Sequence, residues 1–145
     1  MPTARRCLVA LAFVIAACAS SSSGGVSVAV AELRGRGQRP QAVGAHYFRI
    51  RVTNRGTEPI LVESIHIQPA GMTELDVEDA TENFDESIAS GDTRTFDMEI
   101  RVMSSRASSA GMSIDSLRVM VVGRNEKGRF TDSGDYGVGT ELIEP

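Results

Sequence analysis

The sequence predicts an all-β chain, an antiparallel β-sandwich of about seven short strands. Three observations predict it. Apolar and polar residues alternate with a period of two in several separate stretches, the spacing of strands with one face buried. Turn signals bearing Gly, Asn and Pro separate those stretches at fairly even intervals. No long stretch repeats its apolar residues at the spacing of an amphipathic helix.

The first 25 residues stand apart from this pattern. Arg5 and Arg6 precede an unbroken apolar run over residues 8–17, which ends in Ala16-Ala17-Cys18. A membrane-spanning helix needs roughly 20 apolar residues, so this run is too short to cross. Its length and its positive flank fit the h-region of a secretory signal. Residues 19–25 are rich in Ser and Gly and read as flexible coil. The chain therefore divides into a signal over 1–17, a tether over 18–25 and a β domain over 26–145.

Within the domain, residues 26–30 alternate and open the fold as a strand. Residues 34–41 carry Gly, Arg and Pro and read as loop. Residues 46–54 are the cleanest strand: Phe48, Ile50 and Val52 point inward, while Tyr47, Arg49, Arg51 and Thr53 point out. A turn over 54–59 returns the chain to a strand over 60–67. In that strand Ile60 and Val62 share one parity and Ile65 and Ile67 the other, so a bulge is expected near Glu63-Ser64. Residues 71–92 are ambiguous, with a short strand at Leu75 and Val77 inside an acidic segment. Residues 93–102 place Phe96, Met98, Ile100 and Val102 inward. Residues 104–111 read as loop, and Leu117, Val119 and Val121 form the next inward set. A hairpin turn over 124–128 leads to a closing strand, expected to break over residues 134–137.

Composition bounds the function. Beyond residue 17 the chain has 13 basic against 19 acidic residues, a net charge of −6. That balance argues against nucleic acid or anionic lipid as a main partner. Cys7 leaves with the signal, so no disulfide forms within the mature domain if Cys18 is modified. Stability then rests on packing.

Ile15-Ala16-Ala17-Cys18, placed behind Arg5-Arg6 and the apolar run, resembles the lipobox of bacterial lipoproteins. The resemblance implies a lipoprotein signal peptide cut between Ala17 and Cys18, with lipid on the Cys18 thiol. It implies a cell-envelope location. With Ala19 rather than Asp in second place, it also implies the outer membrane, facing the periplasm. An ordinary signal cut near Ala17 or Ala19, leaving a free domain, is the competing reading. The phrase Tyr47-Phe48-Arg49-Ile50-Arg51-Val52-Thr53-Asn54-Arg55-Gly56-Thr57-Glu58-Pro59-Ile60 resembles the second and third strands of immunoglobulin-like and fibronectin type III-like bacterial modules. Ser90-Gly91-Asp92-Thr93-Arg94-Thr95-Phe96 is similar to the glycine-led approach to their fifth strand. The resemblance implies fold, and fold does not carry function.

Candidate chemistry is sparse. The acidic segment, with Asp76, Asp79 and Glu82, is oxygen-rich as calcium loops are, but lacks the spacing of a calcium-loop motif. Its plain reading is a solvated loop or an acidic edge strand. His46 and His66 are expected on adjacent strands, where they could approach each other. Histidines with methionines are similar to the makeup of periplasmic copper chaperones, which also carry a His-x-Met pair late in the chain. Here no histidine follows His66, and Met98 reads as core. There is no Gly-x-Ser-x-Gly elbow and no glycine-rich phosphate loop. The expectation is a lipid-anchored, non-enzymatic module that needs no cofactor and meets an envelope protein or component. A calcium- or copper-binding lipoprotein is the alternative.

Overall fold

The structure is a computed structural model and describes residues 25–35, 43–71, 75–78, 80–105 and 114–143. Its regular elements are all strands: β1 (Val26–Gly35), β2 (Gly44–Asn54), β3 (Ile60–Pro69), β4 (Leu75–Glu78), β5 (Ala80–Ile88), β6 (Thr93–Ser105), β7 (Ser116–Asn125) and β8 (Gly128–Ile143). They pair in the order β4-β6-β2-β1-β8-β7-β3-β5. The two ends of that order, β4 and β5, follow one another in sequence, so the sheet curls until it nearly closes into a barrel.

The alternating stretches form the core as their pattern dictates. Phe48, Ile50 and Val52 of β2 are fully buried, and Phe96, Met98, Ile100 and Val102 of β6 nearly so. In the β2–β6 register Phe48 lies opposite Met98 and Ile50 opposite Phe96, and such apolar cross-strand pairs stabilise a sheet. Leu117, Val119 and Val121 supply the face of β7. In β3 the register shifts between Val62 and Ser64 against both neighbours. That bulge lets Ile60, Val62, Ile65 and Ile67 all face inward despite their mixed parity.

The structure corrects several expectations. Strands over 46–54 and 60–67 do not form a hairpin. Both sides of β2 are taken, by β1 and β6, so the chain crosses after Asn54 to place β3 between β5 and β7. Asn54 makes that crossing possible. Its Nδ2 donates to the carbonyls of Glu58 (2.7 Å) and Ile88 (3.0 Å), and its Oδ1 accepts from the Gly56 amide (2.9 Å). Its backbone amide donates to Asp92 O, and its carbonyl accepts from the amide of Gly91, a turn residue at φ +80° that only glycine adopts cheaply.

The acidic segment forms two edge strands, β4 and β5, and raises the strand count to eight. The closing strand does not break over residues 134–137. β8 runs on for 16 residues and instead changes partner there: it is antiparallel to β7 up to Gly137 and parallel to β1 from Val138. The sheet is therefore not wholly antiparallel. The reason is topological, since the first and last strands run the same way when they meet. Two arginines of β2 reinforce that pair. Arg49 and Arg51 reach over β1, where Ala29 and Ala31 leave room, to Glu141 of β8 at 2.6 and 2.5 Å. Arg49 also grips Asp97 of β6 with two bonds of 2.8 Å. These guanidinium groups hold the Asp97 and Glu141 carboxyls below their ordinary range.

Candidate functional site

Ala17, Cys18 and Asp79 lie outside the described residues. Asp76 holds a backbone position in β4 opposite Ser104. Glu82 stands exposed on β5 opposite Ile65. The two histidines do not share neighbouring strands, as the sequence suggested, because β1, β8 and β7 separate β2 from β3. His66 turns away from the core and bonds Thr81 Oγ1 through Nδ1 at 2.7 Å. His46 is buried, at 6% exposure. Among the described residues no three His, Cys, Asp or Glu side chains gather where they could hold a metal ion.

His46 instead belongs to an internal polar cluster. β1 continues its inward parity through Val26, Val28 and Val30 to Glu32, which places a carboxylate inside the fold. Glu32 accepts from Arg34 Nε at 2.7 Å and lies 3.0 Å from His46 Nδ1. The partly exposed Arg34 guanidinium balances the buried charge. The His46 ring stacks near Phe48, with centroids 6.4 Å apart. With Nδ1–H assigned as the donor to Glu32, Nε2 is left as an acceptor, and it is buried without a partner among the described residues. The strand parity already placed Glu32 inward, and that was the signal available in the sequence.

A second buried carboxylate lies on β8. Asp132 is 5% exposed, and its Oδ2 has no partner among the described residues. Burial pushes its carboxyl up, against a bond from the Ser133 amide. Tyr136 folds back over Gly134, where a Cβ would meet its hydroxyl at 3.0 Å. Burial and the Asp132 charge raise the Tyr136 hydroxyl. Asp132 shares its parity with Phe130, Tyr136 and Val138, which pack against the core, but the break expected over residues 134–137 hides that alternation in the sequence.

A cleft runs along the seam where the barrel fails to close. Among the described residues β5 pairs only with β3, and β6 carries β4 only from Arg101 to Ser105. Over residues 93–100 β6 has β2 on one side and, among the described residues, no strand on the other. Phe84 of β5 and Phe96 of β6 meet edge-to-face at 4.6 Å and form the floor. The cavity above them is about 490 Å³, and Glu86, Arg94 and Asp97 stand at its rim. It is followed along the seam by a smaller recess of about 190 Å³ lined by Glu78, Glu82 and the paired Glu99 and Arg101.

No family model matches the chain, and no curated protein matches it. Among solved structures, the chain is similar to a protein described as ApaA from Bordetella pertussis. That likeness has 17% identity and a TM-score of 0.49, and covers 79% of this chain and 91% of that one. A FixG-related protein from Vibrio parahaemolyticus is similar at 9% identity and a TM-score of 0.35, covering 79% and 96%. The ASH/PapD-like domain of human CEP192 is similar at 8% identity and a TM-score of 0.35, covering 94% and 99%. At these values the likenesses carry no argument about activity, ligand or partner.

Proposed function

We propose that the chain is a lipid-anchored lipoprotein of the cell envelope, with acyl chains on Cys18 and a non-enzymatic binding module hung from them. The observation that carries this reading is the order of segments: Arg5-Arg6, the apolar run over 8–17, Ile15-Ala16-Ala17-Cys18, then a Ser/Gly tether. β1 starts at Val26, directly after the tether. Each acyl CH₂ buried in a bilayer contributes about 0.8 kcal/mol, and two chains are needed for stable anchoring. No described helix is long and apolar enough to cross a membrane. Ala19 favours the outer membrane, with the domain facing the periplasm. The finer reading of the fold is an immunoglobulin-like sandwich. It is supported by the grouping of β4-β6-β2-β1 and β7-β3-β5 on the two sides of β8, the strand that passes from one group to the other.

The test is metabolic labelling with a fatty-acid analogue. The wild type takes up label and sediments with membranes. Cys18→Ala takes up none and accumulates as uncleaved precursor. A wild type without label contradicts the anchor.

A further inference from the structure

We propose that the cleft between β5 and β6 takes an extended, basic segment of a partner protein, which adds as a strand to the free edge of β6. This rests on the reading of the domain as a binding module and names the chemistry of its partner.

Four features carry it. First, a strand edge presents a row of backbone donors and acceptors that another extended chain satisfies. Along 93–100 β6 has such an edge, and its register against β2 runs without a shift, so the edge is straight. Second, the same edge already accepts a strand further on, where β4 pairs with Arg101 to Ser105. That ladder shifts register between Asp76 and Val77, and an added segment extends the line of β4 from its Glu78 end. Third, the space is there: a cavity of about 490 Å³ with Phe84 and Phe96 as an apolar floor. Alternate side chains of an added strand fall on that floor, and the others point to solvent. Fourth, the opposite wall is acidic. Glu82 and Glu86 line it as exposed residues on either side of Phe84, with Glu78 beyond them. The carboxylates across from them are already matched, Asp97 by Arg49 and Glu99 by Arg101. Arg94 at the β6 rim offsets one of the three wall carboxylates, and the charge left unmatched across the cleft is negative, which selects a basic segment over an acidic one. β5 itself is the poorer edge, since its ladder with β3 carries the bulge and its side chains repel a second acidic strand.

The experiment measures amide hydrogen exchange on the full mature chain in detergent micelles. One probe is a synthetic peptide of about eight residues, a usual strand length, alternating Arg and Val. The control peptide alternates Glu and Val. The expected result is slowed exchange confined to residues 93–100 with the Arg/Val peptide and none with the Glu/Val peptide. The double variant Glu82→Lys/Glu86→Lys changes only exposed side chains, so its melting point stays within about 1 °C of wild type. It binds the Arg/Val peptide at least about tenfold more weakly. No slowing at about 1 mM peptide, the weak end of measurable affinities, overturns the proposal. So does slowing at another surface, or equal binding of the two peptides. Slowing over 93–100 that grows with protein concentration alone assigns the edge to a second copy and also overturns it. None of these outcomes depends on acyl label at Cys18, so failure here is distinct from failure of the anchor.

Discussion

The two ends of β2 bury polar side chains in opposite ways. At one end Asn54 has every side-chain group matched: two donated bonds to Glu58 O and Ile88 O, and one accepted from Gly56. At the other end His46 is matched on one nitrogen only, by Glu32, and its Nε2 stays buried without a partner among the described residues. The difference follows from what each side chain joins. Asn54 ties together the crossing to β3, the end of β5 and the turn before β6, three backbone segments with carbonyls and amides to be met. His46 meets a single carboxylate whose charge Arg34 already balances. The first arrangement is architectural, while the second can lose a member with a smaller penalty. The Asn54 end is also where the tether arrives, since the Arg55 amide donates to Gly25 O at 2.7 Å.

The comparison breaks most sharply at Asn54. Asn54→Ala strands the buried carbonyl of Ile88 together with the part-buried carbonyl of Glu58 and amide of Gly56. At about 1–3 kcal/mol for a buried group left unmet, with smaller additions from the two part-buried ones, the loss should reach about 3 kcal/mol in a urea melt. Glu32→Gln keeps the shape at the other end but removes the charge that Arg34 and His46 share. A loss of about 2 kcal/mol is expected, because Arg34 reaches solvent and stays hydrated. A Glu32→Gln loss as large as that of Asn54→Ala would erase the distinction between the two ends.

Asp132 sharpens the same contrast, as a buried carboxylate with no cation beside it among the described residues. Burial raises its carboxyl above the ordinary value, so the folded chain keeps that proton to a higher pH than the unfolded chain does. Its contribution is therefore fully present in acid and is lost as pH rises through the raised value. Asp132→Asn mimics the protonated form. It should melt like the wild type in acid and gain about 1 kcal/mol at neutral pH, the scale of one unmet buried group. The carboxyls held low by arginines, Asp97, Glu99, Asp135 and Glu141, lose stability in acid. They do so in both proteins and cancel from the difference. A variant gain that is equal at all pH values would contradict this account of Asp132. At the small end, Glu82→Ala on the exposed face of β5 should move stability by less than about 0.5 kcal/mol, and thermal melts check it.

The legible parts of the fold were those set by local pattern. The inward faces of residues 46–54, 93–102 and 117–121, the bulge near Glu63-Ser64 and the turn between Asn125 and Gly128 all follow from parity or turn chemistry. What stayed hidden depends on which strands meet. Nothing local in residues 54–60 distinguishes a hairpin from a crossing, because the deciding fact is that β1 and β6 already flank β2. The glycines over 134–137 read as a break, yet they sit where β8 exchanges β7 for β1, and a strand changing partners needs no turn. His46 sits at the start of its strand, a position that local pattern leaves open to solvent. Its burial comes from Glu32 on a strand the sequence does not visibly pair with it. The cleft between β5 and β6 was equally invisible, since it is a gap between two edges more than a motif.

The proposed anchor, lipid on Cys18 beside the Asn54 end of the domain, is open to mass spectrometry of the N-terminal fragment from membrane-extracted protein. The expected fragment begins at Cys18 and carries two or three acyl chains. A fragment beginning at Ala19 or beyond, or one with an unmodified Cys18, would contradict it.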